Sequence, residues 1–127
     1  MQSVVAREGF DDRVTVRHAI VGDARSVWGE ASADIVAAEA LPPCDVLELD
    51  CEGAELDLIR RMTIRPRVVL VETHGIFGAP TADVGAALRE AGYTVRDLGV
   101  AEPNLRASCE RDDIYVLAGI RDEATVG

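Results

Sequence analysis

A chain of 127 residues, 48% hydrophobic but only 4% aromatic, fits one compact domain with a core of Val, Leu, Ile and Ala, and excludes two domains. Its formal net charge is −10 and all 13 basic side chains are arginine, a balance that repels phosphates and anionic headgroups and argues against nucleic acid or membrane partners. No apolar run is long enough to span a bilayer and MQSVVAREGF lacks a signal pattern, so a soluble, cytoplasmic protein is expected.

The acidic, lysine-free composition is also the one that concentrated salt favours. There carboxylates hold water and cations, and their repulsion is screened within about 3 Å at 1 M. A halophilic source is expected, with most of the acids serving solvation.

In chain order, RVTVRHAIV at 13–21 alternates and is rich in β-branched residues, which predicts a strand ending at Gly22-Asp23. SADIVAAEAL at 32–41 predicts a short helix with Ser32 as cap, stopped by Pro42-Pro43. CDVLEL then predicts a strand. Gly53 marks the turn into a helix with Ala54, Leu58 and Met62 on one face, which Pro66 closes. RVVLVET at 67–73 is a near-continuous apolar run, as in a strand buried on both faces of a parallel sheet. Thr81 is placed to cap a helix bearing Val84, Ala87, Leu88 and Ala91, and Gly92 to end it. YTVRDLGV at 93–100 predicts a strand, AEPNLRASCERDD a polar loop, and DIYVLAGI a last strand before a frayed tail.

Alternating strands and helices argue for an α/β fold, a mainly parallel sheet with helices on both faces. The last two strands have no helix between them, so they are expected to pair antiparallel. Three cysteines at 44, 51 and 109, an odd number without CxxC or paired-His spacing, argue against a zinc site and a disulfide framework. Cys44 and Cys51 flank an apolar strand, where free Cys is expected as a small buried hydrophobe.

The stretch DVLELDCEGAEL carries acids around one strand-to-helix turn. In open parallel sheets ligands sit beyond the carboxyl ends of strands, and neighbouring strands lie about 4.8 Å apart. Asp50 and Glu52 fall at one such end, Glu72 and His74 at the next, so they are expected to share a crevice. Glu55 and Asp57 suit the positive end of the following helix, where they read as capping charges. Glu72 leaves the most buried strand, where an unpaired carboxylate is costly, and is expected to meet His74, an arginine or a ligand. Glu48 is expected to pair with an arginine or reach solvent, and His18 is read as structural.

DVLELDCEGAEL, followed by VVLVETHG and ALREAGYTV, resembles the FkbM family of S-adenosylmethionine-dependent methyltransferases over about residues 13–120. Asp50, Glu52, Gly53 and Glu55 match the family's Asp-x-Glu-Gly-x-Glu motif, Glu72 with His74 matches its next strand end, and HAIVGD at 18–23 its Ala-x-Gly stretch. The resemblance implies a Rossmann-like class I methyltransferase sheet with an antiparallel last strand. It implies S-adenosylmethionine as cofactor and Ala19 and Gly22 near its adenine. It places Asp50, Glu52, Glu72 and His74 on the acceptor side, with His74 or an acid as base and Gly53 and Glu55 as structural motif residues. The chain departs from the family at Glu48, where lysine is common. It also has nothing before residue 13 that corresponds to the glycine-rich cofactor turn, so it matches the rear two-thirds of the catalytic fold.

Two other readings stay open. One is a divalent-metal hydrolase using Asp50, Glu52, Glu72 and His74, with oxygen-rich ligands that suit Mg or Mn better than Zn. The other is a non-catalytic remnant acting as an interaction module. Without the front strands, strand 45–50 is expected to have an unpaired edge that residues 13–21 or a second copy covers, the latter giving a homodimer. The acceptor, a small molecule, is not specified by these residues.

Overall fold

The computed structural model describes residues 2–22 and 34–122. Its elements are α1 (Gln2–Arg7), β1 (Ala19–Val21), β2 (Asp34–Val36), β3 (Val46–Leu49), α2 (Glu55–Arg61), β4 (Val68–Glu72), α3 (Thr81–Glu90), β5 (Thr94–Val100), α4 (Arg106–Asp112) and β6 (Tyr115–Ile120). Short 3-10 turns lie at Ala38–Ala40, Gly75–Phe77 and Pro103–Leu105. None of the described helices is long and apolar enough to cross a membrane.

Four strands form the main sheet in the order β3-β4-β6-β5. β3 and β4 are parallel, whereas β6 runs antiparallel to both β4 and β5. The fold is thus mixed α/β, and β6 is the one reversed strand, inserted between β4 and β5. β1 and β2 pair parallel in a separate two-stranded sheet.

Register decides which side chains enter the core. Leu49 faces Val71, and Val71 faces Leu117. These residues join Leu58, Ile59 and Met62 of the α2 segment and Val84, Ala87 and Leu88 of α3 in one buried cluster. Gly119 belongs to the same sheet face, and a Cβ there would stand 3.3 Å from atoms of Leu88 and Tyr93. The missing side chain makes room for the Tyr93 ring, whose hydroxyl donates to the Pro66 carbonyl at 2.7 Å. On the opposite face Val46 and Glu48 are exposed, while Val68, Leu70, Glu72 and Val116 are only half-buried. Among the described residues the expected second helical layer does not close over this face.

Several expectations are corrected. Only 19–21 of the expected strand 13–21 is a strand; 13–15, 17 and 18 are exposed, His18 included, so the alternation over 13–18 does not build a strand. Over 34–41 the expected helix is replaced by β2, paired to β1, and a 3-10 turn; Ser32 and Ala33 lie outside the described residues. The expected polar loop 101–113 contains α4, whose only buried side chain is Cys109. Thr81 caps nothing with its own side chain; its N–H donates to Asp113 Oδ2 at 2.8 Å, so α3 is capped from the segment before β6. Cys44 and Cys51 are exposed and Cys109 is the buried one: a residue beside a strand end is not carried inward by the strand's pleat. The tail beyond 122 lies outside the described residues.

Candidate functional site

The carboxyl ends of β3 and β4 are adjacent because the strands pair in register, Leu49 with Val71. The chain then leaves β3 through a tight turn in which Glu52 has φ 49° and Gly53 φ 111°. A non-glycine residue in the left-handed region costs about 1 kcal/mol or more, so the turn holds Glu52 under strain. Gly53 has a second reason to be glycine. A Cβ there would lie 2.6 Å from the Phe77 carbonyl oxygen and 2.8 Å from the Phe77 Cβ. The turn after β3 is therefore pressed directly onto the turn after β4.

Glu55, the first residue of α2, locks that turn. Its side chain is fully buried, with Oε1 accepting the Cys51 N–H at 2.8 Å and Oε2 the Gly53 N–H at 2.9 Å. Oε1 also stands 2.8 Å from Nδ1 of His74. A buried carboxylate costs heavily unless its lone pairs are matched by donors, and here three donors meet it. His74 is held equally firmly, at 6% exposure. Its neighbour Thr73 accepts the Tyr115 N–H at 3.0 Å and shares a hydrogen bond with Thr81 Oγ1 at 2.6 Å. With Nδ1 engaged by Glu55, Nε2 of His74 points at Asp50 Oδ1, 3.5 Å away.

Glu72 completes the group. Loss of water around its carboxyl, and then the neighbouring Asp50 carboxyl as hydrogen-bond partner and charge, push its pKa above the ordinary carboxylate value, while His74 pulls it back. The Cys51 thiol is pushed up to about 11, first by loss of water around the sulfur and then by the charge of Glu55, although the residue as a whole is exposed.

The structure thus brings Asp50, Glu72 and His74 together and places Glu55 in their midst. Glu52 stays outside: it is exposed and makes no hydrogen bond or ion pair with the described residues. Asp57 is exposed and pairs with Arg61 at 3.3 Å. Gly22, with φ 104°, follows β1 where a Cβ would meet Leu58 of α2 at 3.4 Å, and Ala19 begins that strand half-buried. Phe77 went unnoticed in the sequence. Its ring lies 6.1 Å from the His74 ring and is about half exposed, an apolar wall beside the polar cluster. The signal for it is the short Gly75–Gly78 turn, which lifts Ile76 and Phe77 outward.

Chemically, this arrangement can orient the imidazole through Glu55 and present Nε2 beside Asp50 to a hydroxyl, and one ligand atom from each of Asp50, Glu55 and His74 lies within 4.8 Å of the others. No family model, curated protein or solved structure matches this chain.

Proposed function

We propose that this chain carries the acceptor side of an S-adenosylmethionine-dependent methyltransferase of FkbM type, transferring a methyl group to a hydroxyl oxygen. The observation that carries the reading is the buried Glu55–His74 pair at the adjoining ends of two parallel strands. Methyl transfer to oxygen requires a base within reach of the acceptor proton and a sulfonium held in line with it. Glu55 accepts from Nδ1–H, which leaves the Nε2 lone pair facing the crevice. Asp50 and Glu72 orient the hydroxyl, and Phe77 offers an apolar surface to the body of the acceptor. The reversed strand β6 between β4 and β5 agrees with the antiparallel last strand that the resemblance implies. Ala19 and Gly22 are assigned to the adenine side by resemblance.

The test is transfer of labelled methyl from S-adenosylmethionine to a panel of hydroxyl acceptors. His74→Gln, which keeps a donor for Glu55, is expected to lower the rate about 100-fold, the scale of general-base catalysis. Its affinity for S-adenosylhomocysteine is expected to stay within about twofold, because a base acts on kcat. An unchanged rate would remove His74 from the mechanism.

The outer edge of β3 has no strand pairing with it among the described residues, and Val46 on it is 53% exposed. On the same reading a second copy of the chain pairs along this edge. A monomer mass by light scattering would refute it.

A further inference from the structure

Val68 opens β4 about 13 Å from Glu72, at the rise of a β-strand, and at that far end the sheet borders a cavity of about 570 Å³. Register fixes the floor of this cavity. Val68 faces Ile120 and Ile120 faces Thr94 on three adjacent strands, so the three side chains share one face of the sheet. Around the floor stand Arg67, Arg96 and Arg121, with Asp122 as the one acid of the lining. The backbone N–H of Arg121 donates to the Arg67 carbonyl at 2.9 Å, which holds these two arginines side by side.

The chain has 23 acids against 13 arginines, so carboxylates able to neutralise an arginine are in surplus. Arg7, Arg61, Arg106 and Arg111 each pair with at least one. Arg67 and Asp122 also have partners of their own. Arg96 and Arg121 form no ion pair with the described residues, and Nε of Arg121 is buried with no hydrogen-bond partner. A buried donor on a charged group costs free energy that an acceptor would return. Arg121 as a whole is only half-buried and lines the cavity, so a small side-chain rotation offers its guanidinium to a ligand there. Two uncompensated positive charges thus meet at one cavity of a chain whose net charge is −10.

We infer that this cavity binds a small phosphate monoester, its phosphate between Arg96 and Arg121 and its organic body over Val68 and Ile120. Two positive charges match one dianion, and planar guanidinium forks match its oxygens in pairs. The Thr94 hydroxyl, which makes no hydrogen bond with the described residues, adds a further donor. A bare phosphate leaves most of the space empty, since cavities of about 300–1,000 Å³ hold whole small molecules. Half-buried Val68 and Ile120 offer their apolar surface to a ring. The negative charge of the chain as a whole does not forbid this ligand. In about 1 M salt, repulsion is screened beyond about 3 Å while direct contacts survive. The inference stands whether or not a methyl group is transferred, because the cavity and His74 lie at opposite ends of β4.

Phenyl phosphate is the probe, titrated by calorimetry into the intact chain in about 1 M KCl, where loose ion association is screened. One saturable site per chain is expected. Phenyl sulfate, of the same shape with one charge fewer, is expected to bind at least about tenfold more weakly, and phenol to show no saturable site. Arg96→Gln and Arg121→Gln, checked for folding by circular dichroism, are each expected to weaken phenyl phosphate binding at least about tenfold, the loss of one charge-assisted pair. Arg96 is exposed, so its replacement tests the site even where Arg121→Gln disturbs the fold. Arg106→Gln on α4, an arginine paired with Glu110 at 3.6 Å, is expected to leave binding within about twofold. Lack of a saturable site, equal affinity for phenyl sulfate, or equal weakening by Arg96→Gln and Arg106→Gln would each overturn the inference. S-adenosylhomocysteine binding, measured separately, reports on the methyltransferase reading independently.

Discussion

Replacing Glu55 by glutamine changes the site by one atom type and no volume, yet it is expected to cost about 2 kcal/mol. The carboxylate serves three donors, the N–H groups of Cys51 and Gly53 and Nδ1 of His74, at 2.8 to 2.9 Å. A glutamine oxygen in the Oε1 position keeps Cys51 and His74, but its NH₂ then faces the Gly53 N–H, donor against donor. An unsatisfied donor in such a place costs about 1–3 kcal/mol, and two charge-assisted bonds weaken to neutral ones. Against this, removing a negative charge beside Asp50 and Glu72 returns about 1 kcal/mol at most, because the side chain of Asp50 is 57% exposed and water screens it. The net is about 2 kcal/mol out of the 5–15 kcal/mol that holds a domain together. With a urea slope of about 2 kcal/mol/M, the unfolding midpoint falls by about 1 M. Urea melts followed by circular dichroism, with exposed Glu52→Gln as the control expected within about 0.5 kcal/mol, give the number. A Glu55→Gln midpoint equal to the wild-type one would show that the buried carboxylate does not hold the turn.

Two further predictions concern the same strand ends. Gly53→Ala places a Cβ against the Phe77 carbonyl and demands φ 111°, so it is expected to cost about 3 kcal/mol or more. Gly92→Ala, also at positive φ but with open space around it, is expected to cost only about 1 kcal/mol; equal melting temperatures for the two variants would remove the close approach from the account. Glu72 binds its proton more tightly in the folded chain than in the unfolded one, since burial and then Asp50 raise its pKa. Its contribution is therefore fully present below the ordinary carboxylate range and is lost as the pH rises through the raised value. In EDTA, Glu72→Gln is expected to stabilise the chain near neutral pH by about 0.5 kcal/mol, the scale of a partly exposed charge pair, and to converge with wild type in acid; thermal melts across pH decide, and destabilisation at neutral pH would contradict the sign.

The main sheet was legible because its signals are local. The stretch 68–71 is apolar without a break and forms the interior strand β4, with a strand on each side, and Gly92 ends α3 where expected, with φ 96°. The first third was not legible, because its pairing is tertiary: Asp34–Val36 lies in an alanine-rich stretch that favours helix in isolation, and its ladder with Ala19–Val21 overrides that preference. α4 escaped notice for the opposite reason, since a helix that buries only Cys109 shows no apolar period. At the site, Asp50, Glu72 and His74 followed from strand ends. The depth of Glu55 did not. One acid among many before a helix reads as a capping charge, and only the positive-φ turn at Glu52 and Gly53 folds the Cys51 and Gly53 N–H groups back onto it. Glu52, in the same motif, is turned outward by that very turn.

The most direct test of the methyltransferase reading is calorimetric titration of S-adenosylhomocysteine into the folded chain in concentrated KCl. Saturable heat with one site per chain is the predicted result. No heat from a chain shown to be folded by circular dichroism would contradict it and leave the buried Glu55–His74 pair with a structural role alone.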